Sequence, residues 1–420
     1  MSHQSTRSSA LSTRHSALLA GLRVLECGEG IAVGFAGKLL VDLGAEVIKI
    51  ERPRSGDRLR RHGPFSGDVP HREHSGLFLY LHANKRGITL DLECATGNTM
   101  LQRLVATVDV VLESFPPGHL AALGLGFEKL QACNAGLTFT SISPFGQTGP
   151  YARAPASDIT VCAAAGITYS VGAPEREPLT PPLFQSEYQA GIGGAAATVA
   201  ALLARGSIGG GQHADVSALE IFATIHSGGT ALTFLYLGET GRRRGNRRPD
   251  LYPYVLLPCR DGYVCLIARE GRQWRRFLEV LGHPAWAEEP RYRDRRAMAE
   301  QYAEEVDALL APWLMAYTKE EIFALCRAHR LPFAPVRTVA EVVADEQARA
   351  RGFFVGLYHP SLGRLTMPGP PYCLGREGTR RCPPWLEPAP RLAEHNDRIY
   401  GGWMGVSRQA LMQLYRAGIV

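Results

Sequence analysis

At 420 residues, with 45% apolar and 20% charged side chains, the chain is too long for one ordinary core, and two domains are expected. The net charge of +6 is largely arginine and is spread along the sequence; its densest cluster, GRRRGNRRP at 241–249, is too short and too poor in interleaved aromatics for a nucleic-acid stripe and suits an anionic small ligand. Nine scattered cysteines without CxxC spacing argue against a disulfide framework or a zinc site, HREH at 71–74 reads as a surface loop, and no run of 18 apolar residues suggests a membrane span.

Residues 1–20 lack acids, are rich in Ser and Arg, and read as a disordered tail; a reducing cytoplasm is the expected compartment. GLRVLECGEG then reads as a short strand ending in glycines. IAVGFAGKLLVDLGA reads as a helix closed by Gly44, and EVIKIERP as a second strand. This is a strand–helix–strand unit with short connections, the building block of a parallel sheet. Gly28, Gly30 and Gly34 give GxGxxxG rather than GxGxxG, and Glu51 lies too near the loop for a ribose-binding acid, so a Rossmann-like fold is expected without NAD.

The alternation continues with GITLDL (strand), TGNTMLQRLVATV (helix) and DVVLESF (strand); GLTFTSISPFG follows and is broken by QTGPY. QSEYQAGIGG at 185–194 has the form of a capping box, Ser186 with Gln189, which puts Glu187 in the first turn of a helix. There the free N–H groups and the helix dipole favour an ionised carboxylate. The helix continues through AGIGGAAATVAALLARG, where Gly191, Gly193 and Gly194 each cost roughly 1 kcal/mol against alanine. Close approach of another backbone or a ligand is the usual compensation. GGGQHADVSALEIF follows as turn, strand and helix. After residue 222 the texture changes to a hairpin turning at Asp261-Gly262 and three amphipathic helices, RQWRRFLEVLG, AEEVDALLAPWLMAY and KEEIFALCRAHR. Beyond PFAPVRTVAEVV the chain is Pro-rich, with RLTMPGPPYCLG resembling an edge strand. The expected division is 21–222 for a large domain, 223–335 for a small α+β domain and 336–420 for a returning segment.

Several stretches in fixed order resemble the class III CoA-transferases, the group of formyl-CoA transferase, carnitine CoA-transferase and α-methylacyl-CoA racemase. They are LGAEVIKIERPRSGD at 43–57, ANKRGITLDL at 83–92, FGQTGPYA at 145–152, GGGQHADVSALE at 209–220, RRGNRRPDLYPYVLLPCRDGYV at 243–264 and PAPRLAEHND at 388–397. The resemblance implies an α/β fold: a Rossmann-like large domain, a smaller α+β domain, a chain that returns to the large domain, and two copies interlocked as a homodimer. It implies a carboxylate nucleophile at the start of a small-residue helix. The family's DxxAG stands here as EYQAG, so Glu187 takes the aspartate's place, one methylene longer. The implied coenzyme A contacts are Ile31, Ala32, Arg52, Leu90, Ser114 and Phe115.

On that resemblance the expected activity is an acyl-CoA:carboxylate CoA-transferase. It would work through an enzyme-bound glutamyl thioester, with the coenzyme A thioester as substrate and no prosthetic group, metal, nucleic acid or membrane as partner. There are departures from the family pattern. Ile31 replaces a polar residue, often glutamine, and Glu93 and Ala122 stand where cations often meet the CoA phosphates. Ser157-Asp158 replaces the His–Asp pair of the racemases, which disfavours racemisation. Two alternatives follow: a diverged relative acting on another thioester, for example on a carrier protein, and a non-catalytic dimeric binding protein.

Overall fold

The computed structural model describes residues 18–226, 231–373 and 387–420, so most of the expected tail lies outside the described residues. Two compact units divide the chain. One comprises the described residues of Met1–Ile167, Pro181–Leu232 and Arg349–Val420; the other comprises Thr168–Thr180 and Thr233–Ala348.

The first unit is built on six parallel strands: β1 (Arg23–Cys27), β2 (Glu46–Glu51), β3 (Arg86–Thr89), β4 (Val110–Glu113), β5 (Thr138–Ser143) and β6 (His213–Ser217). Their order across the sheet is β3-β2-β1-β4-β5-β6, so the direction of winding reverses between β1 and β4. Strands β1, β4 and β5 are buried almost throughout and read as continuous runs rather than alternations, as expected of strands covered on both faces. The covering helices are α1 (Ile31–Asp42), α2 (Gly76–His82), α3 (Ala95–Val105), α4 (Phe127–Cys133), α5 (Asp158–Ala164), α6 (Gln185–Ile208) and α7 (Ala218–His226). In open parallel sheets the ends of strands beside such a reversal form a crevice suited to ligands.

The last part of the chain closes the β3 edge. Asn396 pairs with Thr89 through Thr89 N–H to Oδ1 at 2.9 Å and Nδ2 to Oγ1 at 3.0 Å, and the Tyr400 hydroxyl donates to Thr89 O at 2.7 Å. Ile399, Tyr400, Leu411 and Val420 complete the core over β1–β5. A hairpin of β10 (Phe354–His359) and β11 (Gly363–Pro368) packs Leu357 and Met367 with Ile31 and Leu59.

The second unit has its own core around an antiparallel sheet of β7 (Tyr254–Cys259), β8 (Gly262–Ile267) and the short β9 (Ala334–Pro335). Helices α8 (Gly271–Val280), α9 (Arg295–Gln301), α10 (Ala303–Ala316) and α11 (Lys319–Ala328) bury Phe277, Met298, Leu310 and Ile322 against it. Tyr252 is a core residue here, its hydroxyl donating to Asp307 at 2.7 Å. In the arginine cluster, Arg243 donates to Ala173 O and Tyr169 O, Arg247 pairs with Asp307, and Arg248 with Asp250.

Helix α6 bears on the expectation that nothing spans a membrane. It is 24 residues long and holds an 18-residue window of mean hydropathy 1.3, apolar enough by length and composition to cross a membrane. Interspersed glycines interrupt the apolar run in the sequence. Here the buried residues of the helix, among them Ala190, Gly191 and Gly194, pack onto α1 and β5.

Candidate active site

The site begins with the close packing of α6 on α1. A Cβ on Gly191 would lie 2.7 Å from Ala32 O, and one on Gly194 would lie 2.4 Å from Ile142 Cδ1. The glycine run therefore brings one backbone against another, which places the first turn of α6 beside the first turn of α1. Glu187, one turn before Gly191, accepts a hydrogen bond on Oε2 from Ile31 N–H at 3.2 Å. Its carboxylate thus lies at the amino terminus of α1, where the first N–H groups have no intrahelical acceptor and the dipole favours negative charge. Burial pushes the Glu187 carboxyl above the ordinary carboxylate range, opposed by Arg58 and the Ile31 N–H, while Asp158 adds to the rise.

The capping box expected at Ser186 is not formed. Phe184, in the left-handed region, precedes α6 and makes no side-chain cap. Ser186 instead donates to Asp158 Oδ1 through its N–H at 2.9 Å and its hydroxyl at 2.6 Å. A carboxylate from α5, 28 residues away, outcompetes Gln189 because it satisfies a terminal N–H and a hydroxyl together. Asp158 therefore holds the turn that carries Glu187.

A second turn supplies the neighbouring cation. Asp57 caps a short 3₁₀ turn, Arg58–Arg61, accepting from Leu59 N–H at 2.8 Å. Leu59 and Arg60 point inward, and Arg58 points to Glu187, with Nη2 at 3.6 Å from Oε2 and a side chain 52% exposed. Gly30, at φ 100°, leaves the space the guanidinium occupies, since a Cβ there would meet Arg58 Nη2 at 2.4 Å. Beneath both turns runs a buried ionic network. Lys49 reaches Asp57 at 2.7 Å, Glu26 at 3.2 Å and Gly28 O at 2.6 Å. Lys85 reaches Glu26 at 2.5 Å and Gly34 O at 2.7 Å, and burial pulls its pKa down to about 8 against the pull of Glu26. Lys49 thereby ties the β1–α1 turn and the Arg58 turn to one cation, and Lys85 joins Glu26 of β1 to the Gly34 carbonyl of α1.

Alongside lies a cavity of about 410 Å³ lined by residues from the ends of β1 and β2, by Leu90 just after β3 and by Phe115 beyond the end of β4. Of the residues implied by the resemblance, Arg52, Leu90 and Phe115 line it. Ser114 is linked to it indirectly, its hydroxyl donating to Glu29 O at 3.1 Å, and Ile31 and Ala32 lie at the start of α1 with Glu187. The set therefore falls in two groups joined by the Gly28–Gly30 turn. Arg52 is paired with Glu29 at 3.2 Å, and Glu93 faces His119 at 3.4 Å, both beside the cavity; Ala122 is exposed and outside its lining. Arg54 and His119 line the cavity too, and with Arg58 they are what the sequence reading missed. The signal available for Arg58 was SGD before three arginines, an N-cap ahead of a turn.

The model of CoA-transferase family III matches residues 19–396. The succinate–glutarate CoA-transferase of Agrobacterium fabrum is 32% identical over 93% of this chain and 97% of its own length. The succinyl-CoA–D-citramalate CoA-transferase of Chloroflexus aurantiacus is 33% identical over 95% and 97%. A CAIB/BAIF family protein from Brucella suis superposes with a TM-score of 0.81 at 30% identity, covering 92% of this chain and 99% of that one.

Proposed function

The chain belongs to CoA-transferase family III, and on that premise we propose that it transfers coenzyme A between an acyl thioester and a free carboxylic acid with Glu187 as the nucleophile. The observation that carries this reading is the Glu187 carboxylate at the amino terminus of α1, hydrogen-bonded by Ile31 N–H. An ionised carboxylate is the form that attacks, and the helix terminus with Arg58 stabilises that form.

Glu187 Oε2 attacks the thioester carbonyl carbon. The tetrahedral intermediate collapses with cleavage of the C–S bond, giving a glutamyl–acyl anhydride and the CoA thiolate. The thiolate then attacks the Glu187 carbonyl carbon, which forms the glutamyl thioester and releases the acyl group as its carboxylate. The acceptor carboxylate reverses both steps, and no net proton moves. Ala32 N–H, in the same first turn as Ile31, has no intrahelical acceptor and is suited to the developing oxyanion. The Arg52, Leu90 and Phe115 wall would take the nucleotide end of the thioester, while Ile31, Ala32 and Ser114 order the turn nearest the reacting atoms.

Relatives named for succinyl-CoA, glutarate and citramalate make short dicarboxylic acids the substrate class to test first. The parallel strand order supports the Rossmann-like reading of the first unit. A homodimer fits the exposed Ile192, Leu203 and Ile208 along α6. The test is intact-mass spectrometry after incubation with a panel of acyl-CoAs. The reading expects a CoA-sized adduct in the parent that is absent in Glu187→Gln; an adduct that survives the substitution, or none in either protein, would defeat it.

A further inference from the structure

We infer that Arg58 is the specificity residue of this site, binding the second carboxylate of a dicarboxylic substrate; the inference rests on the transferase reading with Glu187 as nucleophile. Its contact with Glu187, at 3.6 Å, is longer than a hydrogen bond and engages one terminal nitrogen. Among the described residues it is the only ion pair of Arg58, which leaves most of a five-donor fork uncommitted on a half-exposed side chain. The turn beneath it is rigid, because Asp57 is held by Lys49 and Leu59 is buried with Ile31. A fork of donors on a fixed base beside a nucleophile is the arrangement that selects a planar anion.

The reach fits a short diacid. An attacked carbonyl carbon starts about 3–3.5 Å from the nucleophilic oxygen, so it lies within about 7 Å of Arg58 Nη2. Two or three methylenes, the far carboxylate and one charge-assisted hydrogen bond of about 2.8 Å span that gap. The charges also exchange in the right order. Once Glu187 becomes an anhydride or a thioester it loses its negative charge, and Arg58 loses its counter-ion. The distal carboxylate of the bound acid then replaces it, so Arg58 favours the intermediate of a diacid over that of a monoacid.

The test compares kcat/KM for succinate against butyrate and for glutarate against valerate, with one acyl-CoA donor that loads the enzyme. The full chain, Arg58→Met and Arg58→Lys are assayed at a pH where Glu187 is ionised. The expected result is a parent preference for each diacid over its matched monoacid. In Arg58→Met the diacid values fall at least 30-fold, and the monoacid values fall by the smaller factor set by losing a cation beside Glu187. Arg58→Lys should recover part of the preference. Equal losses for diacid and monoacid, or a parent without preference, overturn the inference while leaving the transferase reading intact. A parent that turns over neither acid and forms no CoA adduct defeats the transferase reading, and the inference falls with it.

Discussion

Arg58 and Arg60 sit two residues apart on one turn and are used in opposite ways. Arg60 is buried, with bonds to Glu51 at 2.7 and 2.8 Å, to Glu73 at 2.6 Å and to Pro390 O at 2.9 Å, and its guanidinium lies 3.8 Å from the Phe78 ring centroid. Arg58 is half exposed and, among the described residues, pairs with one carboxylate, at 3.6 Å. A saturated guanidinium has no capacity left for a ligand and serves to join segments distant in sequence. An unsaturated one, held by the same turn, keeps its donors for something that arrives. On the proposed reading, structural and functional charges are distinguished here by how many donors are already satisfied.

The largest effect expected on that contrast is on stability. Arg60→Met leaves Glu51 buried without its partner, and breaking a buried pair in this way costs about 3–5 kcal/mol. Chemical denaturation should show that loss for Arg60→Met and a far smaller change for Arg58→Met. Equal losses would mean that both arginines are structural, and the distinction would fail.

Gly191 sharpens the contrast from the side of packing. A methyl group there must displace the Ala32 carbonyl, whereas a methyl group on Gly206, in the same helix, meets nothing within 4 Å. Gly191→Ala should cost about 1–3 kcal/mol by overpacking, offset in part by about 1 kcal/mol of helix propensity. It should also lower kcat about ten-fold or more, since it pushes Glu187 off the α1 terminus, where misplacement of about 1 Å is costly. Gly206→Ala should be neutral or stabilising with kcat unchanged. Steady-state kinetics on the pair with thermal unfolding checks both; a Gly191 variant that keeps full activity would dissociate Glu187 from the α1 packing.

Much of this was legible in the sequence, and the limits have physical causes. The helix over IAVGFAGKLLVDLGA is found at Ile31–Asp42 and ends before Gly44, which adopts φ 100° as a left-handed closing residue. The hairpin at Asp261-Gly262 is found between β7 and β8, and the compensation demanded by the α6 glycines is the close approach of α1. Ser-x-x-Gln describes only a local option for capping α6, and the winning acceptor, Asp158, is distant in sequence. Arg58 stayed hidden for a related reason. RLRR presents three arginines alike, and only in the folded 3₁₀ turn does Arg60 face inward while Arg58 reaches Glu187. Glu187 is a candidate nucleophile through family resemblance alone, since a carboxylate in the first turn of a helix is common dressing.

The pH profile tests the same contrast through charge. Burial raises the Glu187 pKa, and in the proposed mechanism the ionised form attacks, so kcat/KM should be full above that raised value and fall as pH drops through it. The acid limb should therefore lie above 4.5, the ordinary glutamate value. Arg58 opposes the rise, so Arg58→Met should move the limb to higher pH, while Arg60→Met, assayed where it stays folded, should leave it in place. A limb that ignores Arg58 would remove this pairing from the chemistry.

The smallest effect expected is at Glu93, where the family pattern would place a cation. Its carboxylate is 65% exposed, 3.4 Å from His119, on the wall of the cavity that holds Arg52 and Arg54. If the phosphates of coenzyme A lie in that cavity, an exposed like charge on its wall repels them weakly, because water and salt screen it. Glu93→Gln should tighten coenzyme A binding about two- to five-fold at low ionic strength, and the gain should shrink as salt rises past about 0.15 M, where the Debye length is about 8 Å. Titration calorimetry at two salt concentrations reads both the sign and the screening. A salt-insensitive gain would point to a shape effect of the side chain, and weaker binding would mean that Glu93 serves the ligand by orienting His119. Either result would reassign Glu93 from an unspecific charge to a committed contact, the same distinction that separates Arg58 from Arg60.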